Sequence, residues 1–490
     1  MATTPTGSVP AVNKQPMIAP SDMRVIWLLL VAAFVAILNE TTMGIAIPHL
    51  NVDLGIPPEL GQWLTSAFML TMAIVIPTTG FLLQRFTTRQ IFIAAMSAFT
   101  LGTLVCLLAP GFAVLLVGRV IQAGGTGIMM PLLMTTMMNV VPPQSRGRMM
   151  GRVGLVISLA PAIGPTLAGA VLDAFNWRVL FAIVLPIAIV ALAMGAKWMT
   201  NLGETKNAPI DILSIVLSAF GFGGLVYGLS QFGGQGGSGE VIGIVSLVVA
   251  IVALTLFVWR QIVLQRVDDA LLDLRVFRSR NYTIAVIVMA ILALSMFGTL
   301  VLLPQYLQNV AGLDALQSGL ILLPGSVLMG LLGPIMGRIY DARGTRTLLV
   351  PGTIMVSAAL FFYSTVGEHT AWWLLVIAQT VMSVGLAMSF TPLFSASLGS
   401  LRRHLYSHGS AALNTIQQVG GAAGVALLTV VYSSFLHMGE NEGLDAAAAG
   451  APGARMAFLI AAIISLGAVA LSSFVRKPAD DLDGEFVGGH

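Results

Sequence analysis

The chain has 490 residues, 57% of them hydrophobic and only 9% charged, with a net charge of +3. A water-soluble protein this apolar would have too little polar surface to stay in solution, so soluble enzymes and soluble binding modules are excluded. A membrane helix takes about 20 apolar residues. Fourteen stretches of that kind are predicted, at 24–48, 59–83, 90–109, 112–140, 147–172, 178–199, 210–232, 241–264, 283–307, 314–338, 347–366, 371–395, 409–436 and 455–475. Barrel strands would be about 10 residues long and strictly alternating, and stretches such as Val241–Ala253 do not alternate. The expected class is therefore an all-α integral membrane protein.

Residues 1–23, rich in Pro and Thr, are expected to be a disordered tail. The first span is too long for a signal-peptide core and has no small-residue cleavage site, so it is read as retained. It carries Glu40, which lies about 12 Å inside the outer end at Pro48, taking 1.5 Å per residue. An acid at membrane depth is costly and marks function by default. Desolvation there disfavours the charged carboxylate. Three uses stay open: carrying a proton, recognising a cation, or a static hydrogen bond to a neighbouring helix. Asn39 and Met43 flank it as cavity candidates.

Span 2 runs into Pro77-Thr-Thr-Gly80-Phe-Leu-Leu-Gln84-Arg85-Phe-Thr87-Thr88-Arg89. The pattern returns after span 10 as Pro334-Ile-Met-Gly337-Arg338-Ile-Tyr-Asp341-Ala-Arg343-Gly344-Thr345-Arg346. Each copy joins the second and third spans of a six-span unit, provided spans 7 and 8 are an insertion. Two repeated halves with a site at their interface is a common transporter plan. The expected organisation is a tail (1–23), a six-helix half (24–199), two inserted helices with flanking loops (200–282), a second six-helix half (283–475) and a second tail (476–490). Gly80, Arg85, Arg89, Gly337, Asp341, Arg343, Gly344 and Arg346 are candidate gating residues. Asp341 with Arg343 and Arg346 is expected to form a charge latch, the alternative being charge that only sets topology.

Span 3 holds Cys106, the one cysteine, so no intramolecular disulfide can form and the thiol is read as packing. Span 4 carries Arg119 in its outer half, with Gln122 and Thr126 on the same face. Arg stays charged, so it must face a cavity or a partner. Its stem could reach toward Glu40, or it could be a structural arginine bonded to backbone carbonyls. Gly151, Gly164, Pro165 and Gly169 in span 5 permit close, bendable packing, or ordinary small-residue packing. Gly233–Gly239 reads as a flexible turn, 268–280 as an in-plane amphipathic helix or a solvated connector, and 437–454 as a mobile external loop. Gln305, Gln308, Asn414, Gln417 and Gln418 are polar cavity candidates in the second half, with no acid among them. The 25 methionines suit adaptable binding surfaces or serve as core filler.

Basic residues crowd one side of this topology. Arg85, Arg89, Arg146, Arg148, Arg152, Arg338, Arg402 and Arg403 fall there, against only Arg178 and Arg455 in the opposite joints. By the positive-inside rule both termini are expected in the cytoplasm. The bases then need no nucleic-acid partner, since topology and lipid headgroups account for them. His404 and His408 have helical spacing but no further ligand nearby, so no metal is expected. There is no P-loop, catalytic triad or metal-ligand cluster, hence no enzyme and no cofactor.

Together these motifs resemble the major facilitator superfamily over residues 24–475, within it the fourteen-span drug:proton antiporters of the EmrB/QacA type. Gly337-Arg-Ile-Tyr-Asp341-Ala-Arg343-Gly344 is similar to the family's loop signature. Gly118-Arg119-Val-Ile-Gln122-Ala-Gly124-Gly125 resembles its fourth-span motif. Gly151, Ala160 and Gly164-Pro165-Thr-Leu-Ala168-Gly169 resemble its fifth-span antiporter motif, and Asn176-Trp177-Arg178 fits the fourteen-span group. Two positions depart. Gln84 stands where the family has an acid. The first-span acid is at Glu40 rather than at Asn39, about 100° around the helix, which resembles the LmrB-like lincomycin-resistance branch. The resemblance implies a monomeric, proton-coupled exporter of hydrophobic or amphipathic compounds at the cell membrane. Dedicated export of an endogenous metabolite or lipid is the alternative. A non-transporting sensor or scaffold is a third reading, disfavoured by the lack of a sizeable soluble domain.

Overall fold

In hydrocarbon every backbone N–H and C=O must be bonded within the protein, and a lone helix does this by itself. The computed structural model describes residues 20–56, 58–201, 211–231, 238–267, 269–313 and 315–478, and they fold as helices joined by short turns. The first group is α1 (Pro20–Leu54), α2 (Pro58–Arg85), α3 (Thr88–Leu107), α4 (Phe112–Val140), α5 (Arg146–Ala174) and α6 (Arg178–Trp198). The inserted crossing is α7 (Ile212–Ser218), a π-helical turn (Ala219–Gly223) and α8 (Gly224–Gln231), after which α9 (Ser238–Leu264) returns. The last group is α10 (Arg280–Asn309), α11 (Ala315–Arg343), α12 (Arg346–Tyr363), α13 (Trp372–Gly399), α14 (Tyr406–Asn441) and α15 (Ala446–Ser472).

Among the described residues, 13 helical segments are long and apolar enough to cross a membrane. The remaining predicted span is α5, with 29 residues. Its residues 157, 158, 162, 165 and 166 have side chains outside the described set, Pro165 included. The start of α1 and the segment after α15 lie on one face, where Arg152 reaches Met23 Sδ and Lys477 reaches the Asp341 carbonyl; it is called here the terminal face.

Each group packs on itself, α3 against α4 and α1 against α5 in the first, α10 against α14 and α12 against α13 in the second. Two seams join the groups: α5 on α11, and α2 on α14. The first depends on glycine. A Cβ added to Gly151 would stand 2.7 Å from Pro334 Cα and closer still to the Gly333 carbonyl. Gly337 meets the Gly147 backbone in the same way. Missing side chains thus bring two backbones into contact, as small residues do between membrane helices. The inserted pair lies beside the second seam, with the α7–α8 crossing against α2 and α8 against α14. Its α9 turns Val241, Ile244, Val248, Ile251 and Val252 outward, which suits lipid.

Two joints differ from expectation. Residues 437–454 are mostly helix: α14 continues to Asn441 and α15 begins at Ala446, where Asp445 Oδ1 accepts the Ala448 N–H at 2.8 Å. An N-cap ahead of an alanine run starts a helix. The 268–280 segment is neither an in-plane helix nor a solvated connector. Leu271 and Leu272 are buried with Phe81, Phe257, Ala411 and Ala412, and Gln261 Oε1 accepts the Leu272 N–H at 3.1 Å. A short 3-10 turn, Leu274–Arg278, follows. Gly344 at φ +80° ends α11, a backbone angle that glycine adopts without strain. Most of the expected Gly233–Gly239 turn, and most of both tails, lie outside the described residues.

Candidate functional site

Arg119 is fully buried, at 0% exposure. Its guanidinium stacks 4.0 Å from the Phe68 ring of α2. Nη1 donates to Gln122 Oε1 at 2.7 Å and Nε to the Leu64 carbonyl at 3.5 Å. Gln122 Nε2 in turn donates to Thr103 Oγ1 at 2.8 Å, and Thr103 donates to the Phe99 carbonyl at 2.7 Å. Thr126 Oγ1 donates to the Gln122 carbonyl at 3.0 Å. Helical spacing sets Arg119, Gln122 and Thr126 on one face of α4, and α2 and α3 close over that face. Arg119 Nη2 finds no hydrogen-bond partner. A buried guanidinium donor left unmade is costly, and this one belongs to a full charge.

Glu40 of α1 is half-buried and interacts electrostatically with Arg119. The neighbouring Asn39 is 2% exposed, and its Nδ2 also lacks a partner. Gly164 of α5 packs on Thr41, the next residue of α1, where an added Cβ would overlap Oγ1. Met43 is not on a cavity wall. It is 1% exposed, in a core with Leu64, Cys106, Leu115 and Phe181. Gly169 has nothing within 4 Å of an added Cβ. The span-5 glycines therefore divide: Gly151 joins the two groups, Gly164 fits α5 to α1, and Gly169 is in open space.

The terminal face is closed. Asp341 of α11 accepts the backbone N–H of Gly147 through Oδ1 and of Arg148 through Oδ2, both at 2.8 Å. These are first-turn amides of α5, and a carboxylate is favoured at a helix N-terminus. The latch is thus an acid on a helix end, not the expected cluster with Arg343 and Arg346, which are exposed. Lys477 Nζ donates to the Asp341 carbonyl at 3.0 Å. On the α2–α14 seam Gln84 stands where an acid would match Asp341, and its Nε2 donates to the His404 carbonyl at 2.8 Å. A Cβ on Gly80 would stand 2.9 Å from Nδ1 of His408, which is 3% exposed. Arg85 lies 5.8 Å from the Phe86 ring. Arg89 Nη2 donates to the Ala196 carbonyl at 2.6 Å, near the end of α6, a favoured place for a cation.

In the second group Gln417 and Thr391 line a cavity of about 20 Å³ with Met150, Gly154, Met329 and Phe390, directly between the groups. That is room for about one water. Asn414 Nδ2 donates to the Ser410 carbonyl at 2.8 Å. Gln305 and Gln418 are half-buried, and Gln308 is exposed. Sequence reasoning missed Asp53. It accepts Trp177 Nε1–H at 2.7 Å and lies 3.7 Å from Arg178, so it ties the far end of α1 to the Asn176-Trp177-Arg178 joint. The sequence signal was an acid near the end of one span and a Trp-Arg pair at the start of another.

A model of the Major Facilitator Superfamily matches residues 29–425. The chain belongs to that superfamily. It is 43% identical over 455 residues to the uncharacterized MFS-type transporter YcnB of Bacillus subtilis, covering 93% of this chain and 95% of that protein. It is 39% identical over 453 residues to the lincomycin resistance protein LmrB of Listeria monocytogenes, covering 91% and 95%. The proton:xylose symporter XylE superposes with a TM-score of 0.62 at 14% identity, over 94% of this chain and 97% of XylE, a likeness of fold. The protein is thus a major facilitator transporter, a multi-pass membrane protein for small-molecule substrates and not an enzyme. The first-span resemblance to the LmrB branch agrees with the second of these relatives.

Proposed function

We propose that this facilitator exports hydrophobic or amphipathic compounds in exchange for protons, with Glu40 as the proton-carrying group and Arg119 as its fixed partner charge. One observation carries the reading: a buried guanidinium, short of one hydrogen bond, within electrostatic reach of a half-buried carboxylate. Adding a proton to Glu40 changes the charge of that pair by one unit. Because α1, α2, α3 and α4 all touch the network, their packing then has two charge states, as a switch needs. A membrane potential supplies about 2.3 kcal/mol per charge per 100 mV.

The positive-inside asymmetry supports a cytoplasmic terminal face, with both chain ends there and the cell membrane as location. The closed seams then belong to a state sealed toward the cytoplasm. Release of the Asp341 carboxylate from α5 and of α2 from α14 opens that side to substrate. Asn39, Gln305, Asn414, Gln417 and Gln418 supply the polar contacts of the cavity, Gln122 and Thr126 hold Arg119 in place behind it, and one chain suffices. Lincomycin is the natural first probe, given the name of the LmrB relative.

The test uses proteoliposomes with an imposed proton gradient, comparing wild type, Glu40→Gln, Arg119→Ala and the double variant. Glu40→Gln abolishes gradient-driven lincomycin movement while the protein still folds. The double variant is no worse than the more damaging single one. Undiminished gradient-driven transport by Glu40→Gln refutes the coupling role. Strictly additive losses, with an unchanged pH profile, mean that the two residues do not communicate.

A further inference from the structure

Far from Glu40, the terminal face holds a basic recess of about 530 Å³, with Arg280 and Ile284 at the start of α10 and Phe474, Arg476 and Lys477 after α15 among its walls. Asn281 builds it. Its Nδ2 donates to Ser400 Oγ at 2.6 Å and to the Arg476 carbonyl at 2.9 Å, while its Oδ1 accepts the Arg476 N–H at 2.7 Å. This two-way bond fixes the chain after α15 so that Arg476 shares the recess with Arg280. Lys477 reaches past them to the Asp341 carbonyl. Among the described residues no carboxylate pairs with Arg280 or Arg476, and both are exposed.

Cations gathered in one recess repel one another. Arg280 is also the first residue of α10, where the helix end is itself positive. An anion relieves both penalties. Paired guanidinium forks fit the oxygens of a phosphate better than a single carboxylate. The walls also choose between a free phosphate and a lipid. Phe474 is 54% exposed and Ile284 stands beside the cations, so one side of the recess is apolar. The site lies where three membrane helices end, at headgroup level, and basic pockets between membrane helices on a cytoplasmic face bind acidic headgroups. We propose that this recess binds the phosphate headgroup of an anionic phospholipid, with an acyl chain against Phe474 and Ile284.

The full-length protein, purified in detergent, is titrated with mixed micelles of phosphatidylglycerol or phosphatidylcholine, and retained lipid is counted by native mass spectrometry. Wild type retains one phosphatidylglycerol in preference to phosphatidylcholine. R280Q/R476Q weakens phosphatidylglycerol binding by about 30-fold, since each base near a membrane surface contributes roughly one charge-worth of attraction. R280K/R476K keeps most of it, and R402Q, on the same face but outside the recess, keeps all. Equal retention by R280Q/R476Q, or equal retention of the two lipids, overturns the proposal. Displacement by inorganic phosphate as effective as by short-chain phosphatidylglycerol makes it a free-anion site and also overturns it. Deleting 479–490 removes Asp480, Asp481 and Asp483, the acids that follow the recess in sequence. Unchanged lipid binding supports the proposal, whereas binding that arises only after the deletion assigns the recess to the chain's own acids.

Discussion

Asp341→Asn weakens the closed terminal face, and the size of the loss follows from two contacts. The carboxylate accepts one first-turn amide of α5 on each oxygen, both at 2.8 Å. Asparagine offers a single acceptor oxygen and turns an NH2 toward the second amide, donor against donor. A hydrogen bond to a charged group contributes about 1.5–3 kcal/mol. A carboxylate at a helix N-terminus adds about 0.3–1 kcal/mol. Half-exposure of the pair reduces both, which leaves about 1–3 kcal/mol, or roughly 5- to 150-fold in the ratio of closed to open face. Gln84→Ala removes one neutral bond to the His404 carbonyl, worth about 0.5–1.5 kcal/mol. Hydrogen exchange at the start of α5 reads the opening, and initial efflux rates at matched expression read the turnover. Asp341→Asn accelerates exchange at Gly147 and Arg148 and slows efflux more than Gln84→Ala does. Unchanged exchange, or a larger loss at Gln84, refutes the reasoning.

Gly164→Ala drives a methyl into Thr41 and destabilises the protein by about 1–3 kcal/mol, the usual range for overpacking. Gly169→Ala meets nothing and gains about 0.5–1 kcal/mol of helix propensity; thermal unfolding in detergent separates them, and shifts of the same sign count against the assignment. Asp211, ahead of α7, is bonded by Arg260 at 2.7 and 2.8 Å. Burial pushes its carboxyl up, but the hydrogen bonds from Arg260 and Ser214 outweigh that and hold it below the ordinary value. A depressed folded value means stabilisation that is complete above the ordinary carboxylate pKa and lost as pH falls through the folded one. Asp211→Asn therefore costs about 1 kcal/mol at neutral pH. Wild type and variant converge only below the ordinary carboxylate value of about 3.9, as pH falls through the depressed folded one; a gap that persists in strong acid argues against an ionic origin.

Composition and hydropathy were enough for the membrane class, the helices and the sidedness of charge, because a bilayer imposes one length and one polarity on every crossing. Glu40 and Arg119 stood out for the same reason: an ionisable group in an apolar run is costly wherever the helix points. The repeat at Gly80 and Gly337 was equally visible, since residue spacing survives in sequence. What these groups touch was decided by the tertiary structure. Nothing local tells Asp341 to cap α5 rather than meet Arg343, because its partners are backbone amides that carry no side-chain signature. Met43 and Gln308 read alike as cavity candidates, yet one is packed in a core and the other exposed. Rotation of a helix about its axis depends on its neighbours, and α1 and α10 are apolar on every side. Asn281, Ser400 and Arg476 are far apart in sequence and meet only because α10, α13 and α15 end on one face. Sequence fixes what each helix can bury, and the contacts among helices fix which charges and amides are left to work together.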